Sequence, residues 1–313
     1  MMTVRLLTYD GRQYLMPTLL TWTVRRTGSV PADELEVAAV YDGELQEVLP
    51  DVYRFAAYQD DELILRGVVD EYEVEASGEG LLLRLAGRGM AALLLDNEAE
   101  AATYQQATTA EILRTHVTPW GISCQQWRDM QMLNYRVTSG SSQWKALSDF
   151  TSRAGGFTPW FTAAGELVVE PLAGSGARRV IDGTAPVLSC IRREKRYGII
   201  SQVLIRDRNQ RVMQTVENSA FIRRGGARRQ VLYMPGGSTY GAVRYTGNYQ
   251  IEKSQEGARQ TELTLSGAFS ASPGDIAELS YEPLKLYGVY DVVEAVTRGG
   301  SGGETTTLTM EER

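Results

Sequence analysis

Six short runs rich in β-branched, aromatic and leucine residues fill the first 96 positions, at residues 3–8, 20–25, 34–41, 52–58, 62–69 and 81–86. Turn signals divide them at Asp10-Gly11, Asp42-Gly43, Gln59-Asp60-Asp61 and Ser77-Gly78-Glu79-Gly80. Runs this short cannot each make a stable helix, and their spacing of roughly 8 to 12 residues is that of small antiparallel folds. The pattern predicts an N-terminal β-barrel or sandwich over residues 1–96.

Residues 97–180 change period. Thr108-Thr-Ala-Glu111 is a capping box, and Ile112, Leu113, His116, Val117 and Trp120 follow at helical spacing until Pro119-Trp-Gly121 ends the helix. A second helix begins at Ser141-Ser142, carries Trp144, Leu147, Phe150 and Ala154 on one face, and stops at Gly155-Gly156. Residues 157–161 and 166–170 then form a hairpin through Ala164-Gly165. This middle stretch reads as α+β. From about residue 187 the sequence is strand-like again, at 188–195, 199–206, 211–216, 229–233, 262–265, 276–281, 289–297 and 305–310, with loops at Gly225-Gly226, Gly236-Gly237 and 299–303. The expected architecture is β-rich α+β: two small antiparallel β-barrel domains, 1–96 and 181–313, flanking an α+β middle domain, 97–180.

Charge is distributed unevenly. Residues 31–111 hold 19 Asp/Glu against 4 Lys/Arg, whereas residues 178–229 hold 13 Lys/Arg against 4 Asp/Glu. The basic stretch, with Arg192, Arg193, Lys195 and Arg196, carries β-branched and aromatic residues at strand spacing and no nucleic-acid module, so self-association or partner docking is its expected use. Of the 32 basic residues 28 are Arg, the cation enriched at interface cores. The longest apolar run, at residues 90–95, is far shorter than the roughly 20 residues needed to span a bilayer, so no stable membrane insertion is expected. The first residues lack the apolar stretch of a secretory signal. Cys124 and Cys190 have no CxxC spacing and read as buried thiols.

A lone histidine, His116, rules out a multi-histidine zinc centre and leaves any catalytic triad one candidate. It sits among Ile112, Leu113 and Trp120, where a core role is expected. Gly87-Arg-Gly89-Met-Ala-Ala92 matches a dinucleotide fingerprint, but about two helical turns before Asp96-Asn97 are too few for a βαβ crossover, so the glycines are expected to turn a strand into a covering helix. Asp60-Asp61-Glu62 and Asp70-Glu71-Tyr-Glu73-Val-Glu75 offer carboxylate pairs of the kind glycoside hydrolysis uses. Glu71, Glu73 and Glu75 share one strand face and read as a solvated surface. Trp120, Trp127, Trp144 and Trp160 fit core packing, with sugar stacking as the alternative. No catalytic, cofactor-binding or metal-binding residue is expected.

Several segments, in order, carry a resemblance. They are Ala86-Gly-Arg-Gly-Met-Ala-Ala-Leu-Leu-Leu-Asp-Asn97; Thr103-Tyr-Gln-Gln-Ala-Thr-Thr-Ala-Glu-Ile-Leu113 leading to Pro119-Trp-Gly-Ile122; and Ser142-Gln-Trp-Lys-Ala-Leu-Ser-Asp-Phe150 running to Gly155-Gly-Phe and Ala164-Gly-Glu-Leu-Val-Val-Glu-Pro171. Ser272-Pro-Gly-Asp275, Tyr287-Gly-Val-Tyr-Asp-Val-Val-Glu-Ala-Val296 and Thr306-Thr-Leu-Thr-Met-Glu-Glu312 complete the series. Together they resemble the baseplate hub proteins of contractile phage tails, the Mu-type tail hub and the late-control-D family. The resemblance implies a homotrimer whose two barrels per subunit make a ring of six similar units, joining a hexameric tail tube or baseplate proteins above to a trimeric spike below. It implies a virion tail baseplate protein assembled in the host cytoplasm, with DNA passing through the lumen without specific binding, and neither catalysis nor cofactor. In such a ring the acidic stretch 31–111 would face the lumen and the basic stretch 178–229 the neighbouring subunits or the spike. The alternatives are a tail-associated cell-wall hydrolase using the acidic cluster or His116, and a carbohydrate-binding tail protein using the tryptophans.

Overall fold

Buried and half-exposed side chains alternate along β1 (Met2–Thr8), so that Val4 and Leu6 enter a core while Arg5 stays outside. Six more strands follow, β2 (Gln13–Leu15), β3 (Leu19–Thr27), β4 (Glu34–Val40), β5 (Val52–Gln59), β6 (Glu62–Ser77) and β7 (Gly80–Gly89). These strands pair antiparallel in the order β2-β1-β5-β6-β7-β4-β3. Leu6, Leu35, Phe55, Leu65 and Leu83 are fully enclosed at their centre.

The computed structural model describes residues 1–28, 31–78, 80–172, 174, 176–207, 209, 211–234 and 240–313; Glu79 and the expected loop Gly236-Gly237 lie outside them. After β7 come α1 (Ala92–Leu95), β8 (Ala102–Thr108), α2 (Thr109–His116), β9 (Cys124–Trp127), β10 (Gln131–Val137), α3 (Gln143–Gly155), β11 (Trp160–Phe161), β12 (Leu167–Val169), β13 (Arg178–Ile181) and β14 (Val187–Glu194). The chain continues through β15 (Gln202–Arg206), β16 (Val212–Glu217), α4 (Ser219–Ile222), β17 (Arg229–Tyr233), α5 (Tyr240–Gln255), β18 (Arg259–Ser266), β19 (Ile276–Tyr281), β20 (Leu286–Gly300) and β21 (Gly303–Glu312). Two compact units result. The first comprises Met1–Ser189, Leu263–Glu311 and Arg313, and the second Cys190–Glu262 with Glu312.

In the first unit β20 lies antiparallel to β3, with Trp22 opposite Gly299, and β19 pairs with both β20 and β13. Gly299 is required there because a Cβ would stand 2.3 Å from the Trp22 indole. A second core joins Ile112 and Leu113 of α2 to Leu147 and Phe150 of α3, closed by the β8–β10 pair and by β12. Both helices start as their sequences predict: Thr108 Oγ1 accepts from the Glu111 amide at 3.3 Å, and Ser142 Oγ from the Lys145 amide at 3.1 Å. Gly156, at φ 76°, ends α3. In the second unit β15 lies between antiparallel β16 and parallel β17, and α5 packs on this sheet through Val243 and Ile251 against Val203, Ile205 and Val216.

Four expectations change. No closed barrel is found: the side of β3 that barrel closure would use is taken by β20. The C-terminal stretch is not all strand, because α5 occupies 16 residues there. Its Gly247 spoils the sequence signal yet is needed, since a Cβ would lie 2.5 Å from Val216. The middle stretch holds β8, β9 and β10, which the helix-dominated reading passed over. Finally, α1 is one turn long, and of the two glycines Gly87 lies inside β7 while only Gly89, its last residue, stands at the turn into α1.

Candidate functional site

Gly87 is packed, not open. A Cβ on it would meet the Val68 carbonyl oxygen at 2.4 Å and the Phe55 ring at 2.6 Å, and a Cβ on Gly67 would meet the Arg88 carbonyl oxygen at 2.0 Å. The paired glycines let Phe55 lie flat across β6 and β7, so the motif builds a core contact instead of a phosphate cradle. Arg88, next to Gly87 on β7, grips two carboxylates: Nε and Nη2 donate to Asp70 at 2.7 and 2.8 Å, and Nη1 and Nη2 to Asp96 at 3.1 and 2.7 Å. This double fork holds the guanidinium firmly charged.

His116 is buried in the second core. Its Nδ1 lies 2.7 Å from Gln143 Oε1, and Gln143 Nε2 donates to the Glu98 carbonyl at 3.0 Å, so Oε1 must be the acceptor and Nδ1 carries the proton. The other ring nitrogen, Nε2, then accepts from the Tyr104 hydroxyl at 3.0 Å. Both nitrogens are occupied, and burial pushes the imidazole pKa down. The arrangement fixes a neutral core histidine and offers no free base.

The acidic clusters lie at opposite ends of β6. Asp60 and Asp61 form its entry turn with φ of 48° and 66°, whereas Glu71, Glu73 and Glu75 follow a bulge at Val69/Glu71. At about 3.3 Å per residue the ends stand roughly 30 Å apart, several times the carboxyl separation any glycosidase uses. Glu71, Glu73 and Glu75 do share a face and are exposed; Glu75 pairs with Arg84 at 3.2 Å. Among the described residues no group of three or more His, Cys, Asp or Glu could hold a metal ion, and no helix is long and apolar enough to cross a membrane.

The tryptophans separate. Trp127 on β9 is exposed and Trp120 packs at the rim of the second core, whereas Trp144 and Trp160 line a cavity of about 340 Å³ with Phe161, Arg26 and Asp33. Sequence reasoning did not single out Arg26 and Asp33, for nothing local marks them. Asp33 accepts from the Thr27 amide at 2.9 Å, and burial pushes its carboxyl up to about 6. Arg192, Arg193, Lys195 and Arg196 are exposed; Arg193 reaches Glu262 at 3.6 Å and Arg196 reaches Glu194 at 3.2 Å. Cys124 and Cys190 are half-buried rather than buried, and burial pushes the Cys124 thiol to about 11.

No protein-family model matches the sequence, and no curated protein matches it. Solved structures do match along the whole fold. The tail protein from Neisseria meningitidis MC58 superposes with a TM-score of 0.80 at 14% identity, covering 99% of this chain and 96% of that one. The chain shares the fold of that tail protein. A prophage MuSo2 43 kDa tail protein from Shewanella oneidensis matches equally, with a TM-score of 0.80 at 14% identity over 100% of this chain and 98% of that one. The tail-protein fold extends to an E. coli component of the type VI secretion system, described as similar to T4 bacteriophage tail proteins gp27 and gp5. There the TM-score is 0.60 at 12% identity, over 94% of this chain and 73% of that one.

Proposed function

We propose that this chain is a structural baseplate hub of a contractile phage tail or a related injection device. The observation that carries the reading is the match to two tail proteins over nearly the full length of both chains, which leaves neither partner with a large unmatched domain. Likeness to an E. coli secretion component described as similar to gp27 and gp5 supports placement near a tube-to-spike junction. In this reading three copies form a ring of pseudo-sixfold symmetry, residues 1–96 and 181–313 supply its repeating segments, and residues 97–180 elaborate it. The tail tube or baseplate proteins bind above and a trimeric spike below.

The hub works by geometry and charge, without catalysis, cofactor or metal. DNA passes through the lumen unbound because the acid-rich stretch 31–111 repels phosphate, while the basic stretch 178–229 meets neighbouring subunits or the spike. His116, with both ring nitrogens occupied, weighs against the hydrolase alternative that would use it. Light scattering on the purified chain, alone and with its spike protein, tests the proposal: a trimer is expected, and monomer alone at high concentration with spike present overturns it.

A further inference from the structure

The outer half of β6 overhangs the sheet. β5 leaves β6 at the Arg54–Val68 pair, whereas β7 stays with β6 as far as the Ser77–Gly80 pair, so, among the described residues, 70–76 pair with a strand along one edge only. Register with β7 sets Tyr72 beside Leu85 and Val74 beside Leu83, on the face that farther along the strands covers the core. Leu83 and Leu85 are themselves buried in that core, but on the open-edge side Tyr72 is 40% and Val74 43% exposed, and Leu81, near the hairpin turn, is 42% exposed. The opposite face carries Glu71, Glu73 and Glu75, and neither Glu71 nor Glu73 has a cationic partner among the described residues. An apolar ledge, an acidic back and an open edge thus coincide on one hairpin, which invites an added strand.

The chain also carries a strand of matching chemistry. Among the described strands β14 stands at the end of its sheet, next to β18, and exposes Leu188 at 60% and Ile191 at 44%. Arg193 is held by Glu262, but Arg192 has no ion-pair partner among the described residues. Strand parity puts Ile191 and Arg192 on opposite faces, as it does Tyr72 and Glu73.

We infer that the outer half of β6 in one copy is completed by β14 of a second copy, with Ile191 against the Tyr72–Val74 ledge and Arg192 against Glu71 and Glu73. This rests on the ring-forming role proposed above and names its contact. Because the two surfaces differ, the contact is head-to-tail, the kind that closes into rings. Arg192 lies beside the neighbouring subunit's carboxylates, which offset its charge.

Cross-linking in a Cys124→Ser, Cys190→Ser background tests the inference. Glu73→Cys combined with Arg192→Cys should give covalent dimers and trimers on mild oxidation, whereas Tyr72→Cys combined with Arg192→Cys, on opposite faces, should give at least tenfold less. Separately, Glu71→Arg with Glu73→Arg should raise the concentration for half-assembly at least tenfold, and adding Arg192→Glu to the same chain, which makes every contact of the ring complementary again, should restore assembly. Oligomers by light scattering with no Glu73–Arg192 cross-link and no charge-swap rescue overturn this contact while leaving the ring standing. Monomer under every condition overturns both.

Discussion

Arg88 and Asp70 are joined by two parallel hydrogen bonds, Nε to Oδ2 at 2.7 Å and Nη2 to Oδ1 at 2.8 Å, and the same guanidinium also holds Asp96. The pair ties the bulged stretch of β6 to β7 and to the end of α1. Arg88→Lys keeps the charge but loses the fork, and should cost about 1 kcal/mol; Arg88→Ala, which leaves two carboxylates facing each other, should cost about 2 kcal/mol. Urea unfolding at low and high salt checks this, with the loss shrinking as salt screens the carboxylates.

Gly87→Ala should be far more damaging than its size suggests. The added methyl meets the Val68 carbonyl oxygen and the Phe55 ring inside normal contact distance, so β6 and β7 must separate or Phe55 must leave its place. A loss of about 3 kcal/mol or more is expected. A variant as stable as the wild type in a thermal melt would contradict the packing role assigned to this glycine.

His116 and Asp33 should pull stability in opposite directions with pH. Folding lowers the His116 pKa, so just below the unfolded value of about 6.5 only the unfolded chain takes the proton, and stability falls as pH falls. Asp33, raised to about 6, binds its proton in the folded state first, so between about 4 and 6 stability rises as pH falls. The wild-type profile should therefore be shallow across pH 4 to 6.5. Asp33→Asn should steepen the loss in acid, and His116→Ala, besides costing about 3 kcal/mol for its orphaned Gln143 and Tyr104, should leave the Asp33 slope exposed. Unfolding series in urea at several pH values would read both slopes.

Asp275 is nearly enclosed and accepts from the Ala177 amide at 2.7 Å, the Ser272 amide at 3.1 Å and Arg179 Nε at 3.0 Å. It clamps β13 to the turn before β19. Asp275→Ala should cost about 3 to 5 kcal/mol, since it orphans two amides and a half-buried guanidinium. Gly176→Ala, whose methyl would stand 2.1 Å from Asp275 Oδ1, should break the same clamp. Combining the two should cost clearly less than the sum of the single losses, as a double-mutant cycle would measure.

Local chemistry alone accounts for much of this protein. Runs rich in β-branched, aromatic and leucine residues between turn signals mark β1, β3, β4, β5 and β7 within a few residues, and caps and stop signals at Thr108, Ser142 and Gly156 place α2 and α3, because these depend on neighbours in the chain. The helical face of Ile112, Leu113 and His116 also foretells a core histidine. What only the tertiary structure decided involves residues far apart in sequence. β3 pairs with β20 instead of closing a barrel, Gly247 serves α5 because Val216 lies against it, and Arg26, Asp33, Trp144 and Trp160 meet around one cavity. The half-exposed ledge of Tyr72 and Val74 belongs to the same class. Strand alternation says which side chains share a face, but whether that face is filled depends on how far the neighbouring strands and the core beneath extend.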